Sequence, residues 1–550
     1  MILEMTDNKI ENKIDQLFMK WNKKGSPGCA IGVIKDGEFL YKKGYGMANL
    51  DYDIPITPQT VFRIASVSKQ FTTFSVMLLV KEGKIHLDDD IRKYVPEMPD
   101  YEKIITIRHL IHHTSGIRDC YELFYLKGYT NFGMDFLTNK IIIDILSQQK
   151  VLMFLPGKGC SYTNSGYILL TIIIERVSGK KLRQFTEEFI FKPLGMAHTH
   201  FQDDRTIIVK NRATGYSQAF DGTYKINETN FHIVGDGGLF TTIDDFQLWE
   251  KNFYYPTVGD RKIFEQMITP GLLNNGNGAQ EFGLDSAFGL FIGEYRGLKK
   301  ISHGGAWVGF RSYMLRFPKY KLSIILFSNL AQLLRTELSR RIADIYLKDE
   351  FPKKELETVE KMSKLPTIET DESELQKFVG FYHDEKNGVI IEILIKNHNL
   401  HAVINESTYK LKLDAIEKSK FKSLGGDFPA IYEFQPLSDD GFKIVRFLPE
   451  PYGKETFNKL EKFEYSNELL KEYIGKYYSD EIDCYYTYQI EDYRLKLSIN
   501  EKNPISLFLV KNDIFWDGYH MITFKRDHEK QVTEFIVNMW LAKGVQFTRE

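Results

Sequence analysis

Four cysteines in 550 residues, Cys29, Cys120, Cys160 and Cys484, leave little for a disulfide framework, and no C-x-x-C pair or Cys/His cluster marks a zinc site. Charge of one sign is also missing. The 72 basic and 74 acidic side chains sum to a formal −2, which gives no electrostatic footprint for nucleic acid or an anionic membrane. Long apolar runs are absent too: "FSVMLLV" and "YILLTIII" fall well short of the roughly 18 residues that a membrane span needs. The start, "MILEMTDNKIENKIDQLFMKW", places Glu4, Asp7 and Glu11 where a secretory signal needs a basic end and an unbroken apolar stretch. The chain therefore reads as soluble and cytoplasmic. Its expected partner is a small molecule or short peptide, with homo-oligomerisation left open.

With 43% hydrophobic and 27% charged residues there is ample material to fold, and the length favours two to four domains. Residues 8–24 have helical periodicity; "CAIGVIKDGEFLYKKGYG" then gives two β-rich runs joined by Asp36-Gly37, a hairpin signal. Far downstream, "LKKISHGG", "FRSYMLRF" and "KLSIILFSN" are three more strand candidates, followed by a helical run over 330–347. Five strands from the two ends imply one antiparallel sheet closed by both extremities of a large α/β (α+β) domain. The sequence between them is mainly helical: "QFTTFSVMLLVKEG", "TIRHLIHHTSG", "NKIIIDILSQQ", "SGYILLTIIIERVSG" and "TIDDFQLWEKNF".

After residue 348 the composition shifts. "DEFPKKELETVEKMSKLPTIETDESE" is charged, carries two prolines and lacks an apolar face, as a linker does. Beyond it a pattern of short alternating strands repeats. "LQKFVGFY" (375–382) returns as "LKEYIGKY" (470–477), and Gly380/Gly475, Tyr382/Tyr477, Ile395/Ile490, Asn397/Asp492 and Leu400/Leu495 share an offset of 95. Two copies of an antiparallel barrel are expected. The boundaries are 1–348 for the first domain, 349–372 for the linker, and 373–464 and 465–550 for the two β modules.

Within the first domain, "FRIASVSKQFTTFSVMLLVKEGKI" (62–85) raises a question of chemistry. Ser-x-x-Lys occurs five times in this lysine-rich chain: Ser66/Lys69, Ser147/Lys150, Ser178/Lys181, Ser407/Lys410 and Ser419/Lys422. Only Ser66 stands at the start of a helix that then buries an apolar face, where exposed N–H groups and the positive dipole end favour an alkoxide or oxyanion. Spacing of three places Ser66 and Lys69 on one face, whereas Ser68 points elsewhere. The bland alternative is a serine cap with a surface lysine.

A serine nucleophile also needs a base, an oxyanion hole and a proton donor for the leaving group. "PGKGCSYTNSGYILL" offers Tyr162 and Asn164 before a helix, and "ISHGGAWVGF" offers His303-Gly304-Gly305 at a strand end. Tyr162 can take or relay the serine proton, and Asn164 can orient Lys69 and a substrate amide. The glycines let a substrate backbone approach the strand.

In this order Ser66-Val67-Ser68-Lys69, Tyr162-Thr163-Asn164 and His303-Gly304-Gly305 resemble the three motifs of the serine β-lactamase and penicillin-binding-protein superfamily, in its class C, D-alanyl-D-alanine carboxypeptidase, D-aminopeptidase and esterase branch. "IRHLIHHTSGI", "GDGGLFTT" and "GFRSYMLRFP" add to the likeness, which covers roughly residues 10–345. The resemblance implies Ser66 as acylated nucleophile, Lys69 and Tyr162 sharing the acid and base work, and the N–H groups of Ser66 and Ala306 as oxyanion hole. His303 stands where lysine is common, which disfavours a β-lactam carboxylate and suits peptidases and esterases. It also implies lipocalin-like modules after the catalytic domain, with a barrel loop such as "SLGGDFPA" (423–430) limiting substrate size.

Three decoys are set aside. Tyr129-Thr130-Asn131 is a second Y-T-N without the "PG…YTNSGY" setting. "HGGA" resembles an α/β-hydrolase loop, but the nearest approach to G-x-S-x-G is "GYSQA" (215–219). His112-His113 reads as helix packing because no carboxylate or third histidine stands at ligand spacing. No metal or organic cofactor is expected. An ordinary lysine, near pKa 10.4, has to fall to about 7 to act as a base at neutrality, about 4 to 5 kcal/mol, while a helix dipole supplies up to about 2 kcal/mol. Whether Lys69 or Tyr162 is the base stays open. The function expected is a peptidase or amidase for small D-amino-acid compounds; carboxylesterase or β-lactamase activity of the same machinery, and a catalytically silent binder of apolar ligands, are the alternatives.

Overall fold

The computed structural model describes the chain apart from residues 1, 130–135, 220, 354–361, 363, 385–388, 405–409, 425–429, 438–440, 449–453, 461–465, 503 and 518–519, and side chains of residues 2–8 and 511 are left aside. Thr130-Asn131, Ser407 and most of the 423–430 loop lie outside the described residues. The chain divides into two compact units, Met1–Tyr125 with Tyr129–Glu350, and Leu126–Gly128 with Phe351–Glu550. No helix among the described residues is long and apolar enough to cross a membrane.

The first unit opens with helix α1 (Ile2–Phe18), β1 (Cys29–Lys35) and β2 (Glu38–Tyr45). Helices α2 (Lys69–Lys81), α3 (Asn164–Ser178) and α4 (Ile243–Tyr254) follow, then β3 (Gln280–Glu281), β4 (Leu284–Ser286), β5 (Phe291–Tyr295), β6 (Leu298–Trp307), β7 (Phe310–Phe317), β8 (Leu322–Ser328) and α5 (Arg335–Tyr346). The strands form one sheet in the order β3-β4-β5-β6-β7-β8-β1-β2. The five strands expected from the two ends are β1, β2, β6, β7 and β8, and they stand side by side. Asp36 and Gly37 take φ of +52° and +81°, the paired left-handed conformations of a tight hairpin turn that Asp-Gly tolerates. Helix α1 ends earlier than its periodicity suggests, because Trp21 turns back until its ring centroid is 6.3 Å from that of Phe18.

Helix α2 is buried almost all round, from Lys69 through Met77, so it is a core helix and not an amphipathic surface one. A buried polar network holds its first turn. Arg316 on β7 donates two 2.7 Å hydrogen bonds to Glu250 on α4, and Ser323 on β8 adds a third at 2.6 Å. Gln70 accepts from Trp249 Nε1 at 2.7 Å and from Arg316 at 3.2 Å, while its own amide donates to the Val67 carbonyl at 3.0 Å. Arg316 and Glu250 are 1% and 0% exposed, so neither charge has water as a substitute partner.

In the second unit, eight strands between Gly380 and Lys459 make a closed antiparallel barrel whose first strand pairs with its last, Tyr382 opposite Lys459. Its interior is filled by side chains, among them Tyr382, Phe421, Tyr432, Phe434 and Phe457. The second module departs from simple closure. Its nine-stranded sheet has Ile505–Ser506 and Phe508–Lys511 as its two edges, consecutive segments parted by Leu507, which bonds instead to the Leu495 carbonyl at 2.9 Å. The repeat is visible in detail: the hydroxyls of Tyr382 and Tyr477 donate to carbonyls four residues back, Phe378 at 2.9 Å and Tyr473 at 3.2 Å.

Glu250→Ala leaves the Arg316 guanidinium buried without its counter-charge. Urea denaturation of the variant is expected to show a loss of about 3 to 5 kcal/mol; an unmoved midpoint would show that the network is not what holds α2.

Candidate active site

Ser66 lies in a 3-10 turn, Ala65–Ser68, that runs directly into α2. Ala65 carries φ +47°, an unfavourable conformation for a residue with a Cβ, immediately before the serine. The strand β6 presses against this point. A Cβ on Gly305 would stand 2.3 Å from the Ile64 carbonyl oxygen and 2.2 Å from Ser312 Oγ, so glycine is required there by the protein itself. On Gly304 a Cβ would point toward the Arg335 guanidinium. These two glycines accommodate neighbouring protein groups, where the sequence suggested room for substrate. On the other side of β6, the ladder with β5 runs from Leu298 to Ser302 and, among the described residues, does not continue to His303.

Ser68 is occupied within the turn, donating to the Ala65 carbonyl and accepting from Leu239 N at 3.2 Å. Ser66 faces Lys69 instead. Lys69 is fully buried, and its Nζ lies 3.4 Å from Ser66 Oγ, 2.8 Å from Asn164 Oδ1 and 2.7 Å from the Asp236 carbonyl oxygen. Burial brings its pKa down to about 8, against the opposing charges of Asp236 and Asp119. The fall from 10.5 corresponds to about 3 kcal/mol in favour of the neutral amine. Once neutral, Nζ keeps two protons, and two carbonyl-type oxygens take both. The remaining lone pair has the Ser66 hydroxyl as its neighbour.

Tyr162 packs beside this amine, its ring centroid 4.8 Å from Nζ. Burial drives the phenol pKa well above its ordinary value, and hydrogen bonding with Ser66 works in the opposite direction. The phenol is therefore neutral around neutral pH. Asn164, the first residue of α3, is held by Asp119, whose Oδ2 accepts from its backbone N at 2.6 Å and from its Nδ2 at 3.0 Å. With Nδ2 so engaged, Oδ1 is the atom that turns to Lys69.

His303 is 4% exposed, and its Nδ1 lies 2.7 Å from the Gly304 carbonyl, so Nδ1 carries the proton. Burial, followed by the charge of Lys69, lowers its pKa to about 3, and the ring is neutral. It gives no cation where a lysine would; it gives an acceptor, Nε2, which has no partner among the described residues. Ala306 lies opposite Arg311 in the ladder, three residues along the same strand.

Ser66, Lys69, Tyr162 and Asn164 thus meet in one cluster, with His303 beside Tyr162, ring centroids 6.2 Å apart. Two residues of the cluster were not expected from the sequence: Asp119, which orients Asn164, and Asp236, whose carbonyl binds Lys69 and whose carboxylate accepts from Tyr121 at 2.9 Å. Both had a signal: "IRHLIHHTSGI" stops just short of Asp119, and "GDGGLFTT" contains Asp236. Among the described residues no group of three or more His, Cys, Asp or Glu is arranged for a metal ion.

The sheet-and-helix unit and this cluster are those of a serine hydrolase with a penicillin-binding fold. The chain belongs to the Beta-lactamase family, whose model matches residues 7–347. It is 28% identical over 339 residues to "Penicillin-binding protein 4*" of Bacillus subtilis (strain 168), 59% of this chain and 73% of that protein. A D-aminopeptidase of Brucella anthropi is 24% identical over 548 residues, 96% of both chains. Among solved structures, the octameric penicillin-binding protein homologue from Pyrococcus abyssi superposes with a TM-score of 0.58 at 24% identity, covering 83% of this chain and all of that one.

The carboxylate of Asp236 favours the Lys69 ammonium. Asp236→Asn is therefore expected to move the acidic limb of fluorophosphonate labelling at Ser66 to lower pH, since the neutral amine is then reached sooner. An unmoved or raised limb would remove Asp236 from the charge balance of Lys69.

Proposed function

We propose that this chain hydrolyses short D-amino-acid-containing peptides or amides through an acyl-enzyme on Ser66. The observation that carries the reading is the buried Lys69 amine, poised 3.4 Å from Ser66 Oγ with its other two acceptors fixed. Lys69 takes the serine proton as Oγ bonds to the substrate carbonyl carbon. The N–H groups of Ser66 and Ala306 receive the oxyanion. Tyr162, held neutral by burial, gives its proton to the leaving nitrogen as the C–N bond breaks, and is reprotonated from Lys69. Water then repeats the sequence on the acyl-serine, releasing the acid.

The choice of substrate rests on relatives that carry the name D-aminopeptidase, one of them matching over 96% of both chains. In this reading residues 1–348 hold the machinery, 349–372 link it to the modules at 373–464 and 465–550, and the neutral His303 offers a substrate N–H an acceptor. Ester and β-lactam cleavage are the alternatives for the same machinery. A silent binding role for the barrels finds no support, because the first barrel is filled by its own side chains.

A panel of D-alanine p-nitroanilide, L-alanine p-nitroanilide, p-nitrophenyl butyrate and nitrocefin tests the substrate class; turnover of the D-anilide is expected to exceed that of its L-isomer. Nitrocefin or ester turnover with an inert D-anilide would overturn the choice. Ser66→Ala is expected to abolish both turnover and the intact-mass adduct with a fluorophosphonate.

The base assignment has its own sign. Lys69 works deprotonated, so kcat/KM should rise with pH through about 8 and level off above it. Tyr162→Phe is expected to cost the anilide about 100-fold and an activated ester less than about tenfold, because p-nitrophenolate leaves without a proton. Equal losses on both would return the base role to Tyr162.

A further inference from the structure

The pair His112-His113 follows α-helical sequence, yet the helix ends at Ile111 and His113 takes φ +59°, a left-handed conformation that a residue with a Cβ rarely adopts. The two histidines part company there. His112 turns away, its Nδ1 3.3 Å from the Ser286 carbonyl and its ring edge-on to Phe288. His113 turns toward Tyr162. Its carbonyl oxygen accepts from Ser161 N at 2.9 Å, and its Nδ1 accepts from Thr163 N at 3.1 Å. Its ring lies against that of Tyr162, centroids 4.5 Å apart and planes 35° from parallel, and 5.2 Å from that of Tyr167.

We propose that His113 is a positioning residue for Tyr162, gripping the peptide N–H on each side of the tyrosine while its ring fixes the plane of the phenol. Three contacts from one residue reach three consecutive residues, 161 to 163. Packing alone would need only the ring, and a phenylalanine would fill that space equally well. Accepting from an N–H requires an unprotonated Nδ1, so the proton sits on Nε2. Burial, followed by the nearby charge of Lys69, holds the imidazole neutral, and the Nδ1 acceptor persists around neutral pH. The hydroxyl of Tyr162 thereby keeps one orientation toward Ser66 and the leaving group. Displacements of about 1 Å in such a group cost about 100-fold in rate.

The inference rests on the proton-donor role proposed for Tyr162, and its test separates the two. His113→Phe keeps the ring and removes the acceptor. His113→Asn keeps an acceptor at the equivalent distance and tolerates left-handed backbone. On D-alanine p-nitroanilide, His113→Phe is expected to lower kcat by about 50- to 100-fold with KM within about threefold, and His113→Asn to stay within about fivefold of the parent. In a Tyr162→Phe background the His113→Phe change should cost almost nothing more, because its effect runs through the missing hydroxyl. An undiminished second loss, or an Asn variant as impaired as the Phe one, would overturn the proposal. Hydrogen exchange supplies a readout free of catalysis. The Thr163 amide should exchange at least about tenfold faster in His113→Phe than in the parent or His113→Asn, and equal protection in all three would also overturn it. If the parent is inert toward every substrate while Thr163 behaves as stated, the clamp stands and the catalytic reading fails. Should His113→Phe not fold, His113→Ala takes its place in each comparison.

Discussion

Three segments distant in sequence meet at one nitrogen. Lys69 Nζ has Ser66 beside it on its own turn, Asn164 from a helix 95 residues away, and the Asp236 carbonyl from a loop 167 residues away. A protonated amine donates to all three; a neutral one donates to the two oxygens that can only accept and leaves its lone pair to the third. The geometry therefore does more than hold a lysine near a serine, since it dictates which partner is left when one proton departs. Everything else in the first unit can be ranked by how directly it maintains those three distances.

The support comes in layers. Asp119 holds Asn164 so that its oxygen and not its nitrogen faces the lysine. Gly305 lets β6 close on the Ile64–Ala65 backbone, which carries its strain one residue before Ser66. Beneath the turn, the Arg316–Glu250 pair and Gln70 tie α2 to β7 and α4. Ionic groups in such a place are expensive to bury and add little net stability over an apolar core. What they add is direction: a fork-shaped guanidinium, a planar carboxylate and an amide each accept one arrangement, and α2 starts at one place.

The sheet was legible because its strands follow local rules. Alternating β-rich runs and an Asp-Gly turn predict β1 and β2 from a few residues, and the conformations at Asp36 and Gly37 meet that rule. The repeat was legible for the same reason, with Tyr382 and Tyr477 standing at equivalent places in two modules. Ser66 and Lys69 could be chosen from five matches because helix position distinguishes them. Asp119, Asp236 and His113 could not be chosen this way, since each acts on a residue at least 45 positions away and the family-like words beside or around them assign no contact to any one residue. His113 carried a misleading local signal, an apolar helical run that stops at Ile111, two residues before it. The opening of the second module's sheet was equally hidden: Ile505–Ser506 and Phe508–Lys511 are neighbours in sequence yet stand at its two edges. The glycines of the third motif were visible, but the close approach that requires Gly305 is made by the chain's own Ile64 carbonyl and Ser312 hydroxyl.

The site's electrostatics rest on opposed demands. Burial disfavours the ammonium of Lys69, and the nearby carboxylates of Asp119 and Asp236 favour it, leaving the amine near pKa 8. Either influence alone would spoil the chemistry. Full burial without acids would give a neutral amine too weakly basic to take a serine proton, and exposure with acids would give an ammonium that never releases one. His303 and His113 fit the same logic. Both are held neutral, partly by the charge of Lys69, so neither pushes the lysine further down, and each keeps a nitrogen lone pair as an acceptor. A lysine in place of His303 would add a second buried cation beside the first. With histidine there, Lys69 keeps its pKa near 8 without a second cation from the third motif, and burial keeps the Tyr162 phenol protonated.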